Sequence, residues 1–266
     1  MQLKEKTALI TGGASGIGKI MGRLLLERGA RLVIWDIDQN KMNATREEFK
    51  ALGSMHVYRV DVSSPEEIKA TAQQIKKEVG TVDILINNAG IVVGKYFEEH
   101  SAADILKTME INALAPMYIT NEFLPEMIKQ NSGYICNIAS AAGTVSNPKM
   151  SVYAASKWSV VGWSDSLRVE MKQLKKEIGI TTIMPYYINT GMFDGVRSKL
   201  PILKPEKAAA KIISAIERNK KLITIPGYMY RVTRLGQAIM PLGVFDWFAG
   251  DFLGIYKTME HFTGHK

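Results

Sequence analysis

The 266-residue chain has a single cysteine, Cys136, which rules out an internal disulfide framework and fits a reducing compartment. It lacks any uncharged apolar run near the roughly 18 residues that a spanning helix needs. The longest candidate, Leu235 to Phe245, is broken by glycine, glutamine and proline. No repeat, low-complexity tract or Pro/Gly-rich linker divides the sequence, so one domain over residues 1–266 is expected. No leader-like segment precedes the strand-like run at Thr7, and the expected location is cytoplasmic, with peripheral membrane contact at most. Metal-ligand spacing is also scarce: there is no His-Glu-x-x-His and no paired cysteine. His261 and His265 stand four apart, but Gly264 and the chain end disfavour a helix face there, so no metal is expected. None of the four histidines (56, 100, 261 and 265) sits beside a nucleophile elbow, which disfavours a Ser-His-Asp hydrolase. Charge leans basic, with 34 Lys and Arg against 26 Asp and Glu for a net +8. The cations are interspersed with acids, as from Arg168 to Glu177, and form no basic arm, so nucleic-acid binding is not expected.

What the sequence does contain is an alternation. Strand-like runs rich in β-branched and aliphatic residues lie at Thr7–Thr11, Arg31–Trp35, His56–Val60, Asp83–Ile86, Tyr134–Ile138, Gly179–Met184 and Leu222–Ile225. Helical patterns separate them at Gly16–Arg28, Lys41–Leu52, Pro65–Val79, Ala102–Lys129, Val152–Ile178 and Pro205–Asn219. Strands joined by crossover helices predict an α/β fold, a parallel sheet of about seven strands with helices on both faces. The last 46 residues, Lys221–Lys266, depart from this pattern by holding 8 of the 22 aromatics. They predict packing against the body or a second copy, or an apolar wall for a greasy substrate or a membrane.

The first strand runs into Thr11-Gly12-Gly13-Ala14-Ser15-Gly16-Ile17-Gly18-Lys19, from which a helix opens. Glycines bring bare backbone close to a pyrophosphate, and the helix N-terminus offers unpaired N–H groups and a positive dipole end. Gly13-x4-Gly18-Lys19 also has the outline of a triphosphate P-loop, but that motif needs Ser or Thr after the lysine to hold Mg²⁺. Ile20 stands there and cannot coordinate a hard cation. Asp36, 24 residues beyond Gly12 at the end of the second strand, is placed to accept hydrogen bonds from a ribose 2′-OH and to repel a 2′-phosphate. No basic residue at Ala14 or Ser15 offsets that charge, so NAD is expected over NADP.

Tyr153 and Lys157 stand at i and i+4 on one helix face, and Ser140 ends the preceding strand. Thr11-Gly-x3-Gly16-x-Gly18, Asn87-Asn88-Ala89-Gly90, Asn112, Ser140 and Tyr153-x3-Lys157, in that order, resemble the short-chain dehydrogenase/reductase family over residues 5–225. The resemblance implies a Rossmann-type doubly wound sheet ordered 3-2-1-4-5-6-7 and hydride exchange between an alcohol or carbonyl and a nicotinamide. It implies Tyr153 as general acid/base, with Lys157 lowering the phenol pKa and holding ribose hydroxyls. Ser140 would fix the substrate oxygen, and Asn112 would organise a proton path behind Lys157. Cofactor contacts would come from Gly12, Ser15, Gly16, Ile17, Gly18, Asp36, Asp61, Val62, Asn88, Ala89, Gly90, Tyr153, Lys157, Pro185, Ile188 and Thr190.

Where family members carry a glycine after Pro185, this chain has Tyr186, whose ring would narrow or wall the cleft. Pro185-x4-Thr190-Gly191-Met192-Phe193 and the terminal Met259-Glu260-His261-Phe262-Thr263-Gly264 resemble the branch that contains retinol dehydrogenases and type 11 17β-hydroxysteroid dehydrogenase. That branch implies a small lipophilic alcohol or carbonyl substrate, a substrate loop over residues 191–203, a homodimer or homotetramer, and often an N-terminal membrane anchor, which this chain is expected to lack. The rival readings are an NADPH-dependent 3-oxoacyl reductase and a non-catalytic dinucleotide sensor. The second is disfavoured because both Tyr153 and Lys157 are present.

Overall fold

The computed structural model describes residues 1–264. Seven parallel strands form one sheet in the order β3-β2-β1-β4-β5-β6-β7. They are β1 (Thr7–Thr11), β2 (Arg31–Asp36), β3 (Met55–Arg59), β4 (Ile84–Asn87), β5 (Gly133–Ile138), β6 (Ile178–Pro185) and β7 (Leu222–Ile225). The helices between them are α1 (Gly16–Glu27), α2 (Gln39–Phe49), α3 (Pro65–Glu78), α4 (Ala102–Met109), α5 (Ala115–Gln130), α6 (Ser151–Gln173) and α7 (Pro205–Glu217). The chain winds outward through β2 and β3, then returns to β4 and winds the other way. Loops leaving β1 and β4 therefore diverge, and a crevice opens at the carboxyl ends of the strands.

Side-chain alternation divides the core. In β1, Ala8 and Ile10 face Met21, Leu25, Ile212 and Ile216, while Leu9 faces Ile68, Ile75, Phe123 and Leu167. Strands covered on both faces read as continuous apolar runs, which is why β1, β4 and β5 are legible as buried strands. Each fully buried leucine or isoleucine contributes on the order of 2 kcal/mol.

Two expected helices differ in detail. The run Ala102–Lys129 is interrupted by a π-helical turn, Glu110–Leu114, which buries Ile111, Asn112 and Ala113. The run Val152–Ile178 stops at Gln173, and Ile178 already belongs to β6. Lys175 adopts φ +55°, with the Lys175 and Lys176 amides donating back to the carbonyls of Lys172 and Met171 at 3.1 and 2.9 Å. A helix closed by a left-handed residue usually shows glycine there; lysine hides the stop.

After β7 come α8 (Met229–Ile239), α9 (Leu242–Asp246), a π-helical turn (Trp247–Phe252) and a 3₁₀ turn (Ile255–Lys257). This tail lies over the loop 191–203: the Arg197 amide donates to the Thr258 carbonyl at 3.2 Å, and the Thr263 amide to the Asp194 carbonyl at 2.9 Å. His265 lies outside the described residues. No helix among the described residues is long and apolar enough to cross a membrane.

Candidate active site

The crevice is built from the diverging strand ends. The Thr11 hydroxyl accepts from the amides of Asn88 and Ala89, both at 3.0 Å. The Asn88 side chain donates to the carbonyls of Thr11 and Gly12 at 2.9 and 3.1 Å. These bonds tie the two loops together only at their roots, where they leave β1 and β4. Gly12 and Gly16 adopt φ +62° and +51°, and a Cβ on Gly18 would lie 2.1 Å from the Gly12 carbonyl. Only glycines allow this loop to fold under itself while α1 begins uncapped, for Ser15 makes no side-chain cap. Bare backbone and unpartnered N–H groups at one helix end are the donor set a pyrophosphate needs.

A cleft of about 450 Å³ runs from this loop past α6 and into the tail. Gly12, Ser15, Gly16, Ile17, Asn88, Ala89, Gly90, Ser140, Tyr153, Lys157, Pro185, Ile188 and Thr190 all line it. Thr190 comes within 3.6 Å of where a Cβ on Gly16 would sit, so the loops after β1 and β6 face each other across it. Ile188 is held by an isolated bridge to Leu203.

Five expected residues stand elsewhere. Gly18 is buried beneath the loop. Asp36 accepts from the Ala14 amide at 3.0 Å and from the Asp38 amide at 3.1 Å, so its carboxylate braces the glycine loop from outside the cleft. Asp61 accepts from the Ser63 hydroxyl and amide at 2.6 and 2.9 Å, and those bonds hold its carboxyl below the usual range. Val62 is buried against Ile68 and Ala72 in the core. Asn112 sits behind Gly90 in the π-helical turn, where its amide accepts from the Ile91 N–H at 2.8 Å and donates to the Ile91 carbonyl at 2.9 Å. It also donates to the Ser156 hydroxyl at 3.1 Å.

Tyr153 and Lys157, one turn apart near the start of α6, are 5% and 4% exposed. Burial pushes the Tyr153 phenol up to about 12, and the Ser140 hydroxyl beside it opposes that shift. Burial also pulls Lys157 down to about 8. Its ammonium donates to the Ile138 carbonyl at 3.0 Å and lies 5.8 Å from the Tyr153 ring centre. Burial is therefore the larger influence on the phenol in this structure, and the neighbouring Ser140 hydroxyl opposes it.

Beyond the polar end the wall is aromatic. Phe193 meets Tyr153 edge-on at 6.0 Å and Tyr187 at 5.0 Å, and Tyr187 meets Tyr186 at 4.7 Å. Tyr186 forms part of the wall, its hydroxyl 2.9 Å from that of Ser198. The Tyr187 hydroxyl is held by Asn147 at 2.8 Å and Thr258 at 3.0 Å.

Residues 6–201 match the family model described as short chain dehydrogenase. The chain belongs to the short-chain dehydrogenase family. This dehydrogenase is 38% identical over 266 residues to mouse epidermal retinol dehydrogenase 2, covering 97% of this chain and 85% of that one. It is 36% identical over 228 residues to mouse 17-beta-hydroxysteroid dehydrogenase 13, covering 84% and 75% of the two chains. A crystal structure of a short-chain dehydrogenase/reductase from Burkholderia phymatum in complex with NAD superposes with TM-score 0.82 at 26% identity, covering 90% and 95%. A metagenomic short-chain oxidoreductase in complex with NADP superposes at 0.72 and 27% identity, covering 84% and 96%. The enzyme is thus an oxidoreductase related to retinol and hydroxysteroid dehydrogenases.

Asn147, Met150, Met229, Val232 and Leu253 also line the cleft and were not singled out from the sequence. The first two lie at the entry to α6 with no motif to mark them. The others belong to the tail, where aromatic density flagged the segment without resolving which aliphatic neighbours face inward.

Proposed function

We propose that this dehydrogenase interconverts an alcohol and a carbonyl on a lipophilic, retinoid- or steroid-like molecule, using NAD(H), with Tyr153 as the general acid/base. One observation carries the reading: the Tyr153 hydroxyl, beside Ser140, lies where a glycine loop built for a pyrophosphate meets an aromatic wall. The nicotinamide supplies the hydride acceptor or donor and, when oxidised, a positive charge that favours the phenolate. Ser140 would hold the substrate oxygen against the Tyr153 hydroxyl, and the proton would pass between that oxygen and the phenol. Lys157, the Gly12–Ile17 loop, Ile188 and Thr190 would hold the dinucleotide. Asp36 favours NAD, because its carboxylate next to the loop repels a 2′-phosphate. The names of the relatives favour a large lipophilic alcohol, and the apolar length of the cleft suits one.

The test is a panel of retinoid, steroid and short-chain alcohols with NAD⁺ and with NADP⁺, followed at the reduced-nicotinamide absorbance. Turnover is expected with NAD⁺ and lipophilic alcohols. Tyr153→Phe should lower kcat by about 10²–10⁴-fold while NADH binding survives. A Phe variant with near-wild-type kcat on every accepted substrate overturns the acid/base assignment, and a preference for NADPH overturns the cofactor assignment.

A further inference from the structure

We infer that the outer face of α8 and α9 is a bilayer-docking surface that seats the mouth of the cleft on lipid. Buried Met229, Thr233 and Gly236 hold α8 against the body, with Gly236 close against the Phe245 ring. The neighbouring face is apolar yet open: Tyr228, Val232, Leu235 and Ile239 follow one another at helical spacing, and exposed Leu242 opens α9 directly after. Leu235, Ile239 and Leu242 are 62, 67 and 77% exposed, and Trp247 and Phe252, exposed as well, pair with each other in the turn after α9. An apolar surface of this extent on a folded domain marks an interaction site.

Two observations select lipid as the occupant. Tyr228 and Val232 belong both to the stripe and to the lining of the cleft, so the open apolar face runs without a break into the cavity. A second copy of the chain seated there would seal that mouth. Arg231 and Arg234 flank the stripe on its solvent side, both exposed and in no ion pair among the described residues. A helix with an apolar face edged by arginines, and an exposed tryptophan beside it, is complementary to acyl chains below and anionic headgroups above. Docking itself needs no catalysis; that substrate enters by this face rests on the lipophilic-alcohol reading above.

The test is flotation of the full chain with phosphatidylcholine vesicles containing a minority of phosphatidylserine, without dinucleotide or alcohol. A failed enzyme assay therefore leaves its result intact. The wild type is expected to float, and Leu235→Glu with Ile239→Glu to weaken partition on the order of tenfold or more. Both positions are exposed, and circular dichroism verifies the fold of the variant. An independent reading needs no loss-of-binding variant: brominated lipids should quench wild-type fluorescence, and Trp247→Phe should remove that quenching. Wild-type chain that stays with the unbound fraction, a double variant that floats as well as wild type, or quenching that persists in Trp247→Phe overturns the proposal. So does a wild-type dimer that ignores vesicles and becomes monomeric in the double variant, which would make the stripe an interface between copies.

Discussion

The buried ammonium of Lys157 is the clearest case of a side chain kept at a cost. Its one hydrogen-bond partner among the described residues is the Ile138 carbonyl, and burial holds its pKa near 8 instead of 10.5. Because the folded pKa is depressed, the unfolded chain binds more protons between those values, so this group's destabilisation is full below about 8 and fades as pH rises toward 10.5. Lys157→Met should therefore stabilise the fold at pH 7, by on the order of 2 kcal/mol after loss of the carbonyl bond, while turnover collapses. Urea melts at pH 7 and pH 10 check this: the gain should shrink at the higher pH, and an equal gain at both would refute it. Much of the site was legible at this scale. Tyr153, Ser140 and Lys157 stand out through motifs whose order and spacing resemble the short-chain dehydrogenase/reductase family, and the structure brings them to one cleft. The electrostatics were not legible, because the burial of Tyr153 and Lys157 is set by tertiary packing, in which Phe193 meets the Tyr153 ring from a loop distant in sequence. Asp36 shows the same limit. Its distance from Gly12 was readable, but not that its oxygens hold the Ala14 and Asp38 amides.

Strands were easier to read than helix interiors, for a physical reason. A parallel strand buried on both faces writes its whole length as apolar residues, whereas a π-helical turn differs from an α-helix by one residue of backbone register and keeps the same amphipathic pattern. The turn at Glu110–Leu114 was therefore hidden inside a continuous helical run. Its function in the fold is visible only in three dimensions: it aims the Asn112 amide at both backbone groups of Ile91, replacing a strand partner that the segment after β4 does not have. Asn112→Ala would leave the Ile91 N–H and carbonyl without partners in a half-buried position. The expected cost is about 2–4 kcal/mol, with loss of order in the Gly90 loop and of dinucleotide affinity. Asn112→Leu should fare no better, since volume is not what is missing. Denaturant midpoints and NADH titration measure both effects, and a loss under about 0.5 kcal/mol would show the bonds to be dispensable.

At the scale of the whole molecule, the sheet and helices give a scaffold whose cleft is finished by segments distant in sequence. The tail reaches back to the substrate loop through the Arg197–Thr258 and Asp194–Thr263 backbone bonds, and Phe262 packs over Gly94. Nothing local encodes these contacts, which is why aromatic enrichment announced the segment while its docking could not be read. Gly195 is where the closure is tightest. It adopts φ +84°, and a Cβ there would stand 2.0 Å from the His261 carbonyl. A side chain at that position must move the tail backbone, because a carbonyl oxygen cannot swing aside as a flexible side chain can. The tail packs outside the sheet, and opening one such unit costs less than global unfolding, so strain of about 1–3 kcal/mol should release the tail without unfolding the sheet. Gly195→Ala is then expected to keep the global melting transition near wild type while the tail after Gly254 becomes sensitive to limited proteolysis. KM should rise several-fold for bulky lipophilic alcohols, which need the closed wall of Tyr187 and Phe193, and change little for short alcohols held near Ser140 and Tyr153. An unchanged digestion pattern, or equal losses on long and short alcohols, would mean that the tail does not shape the cleft.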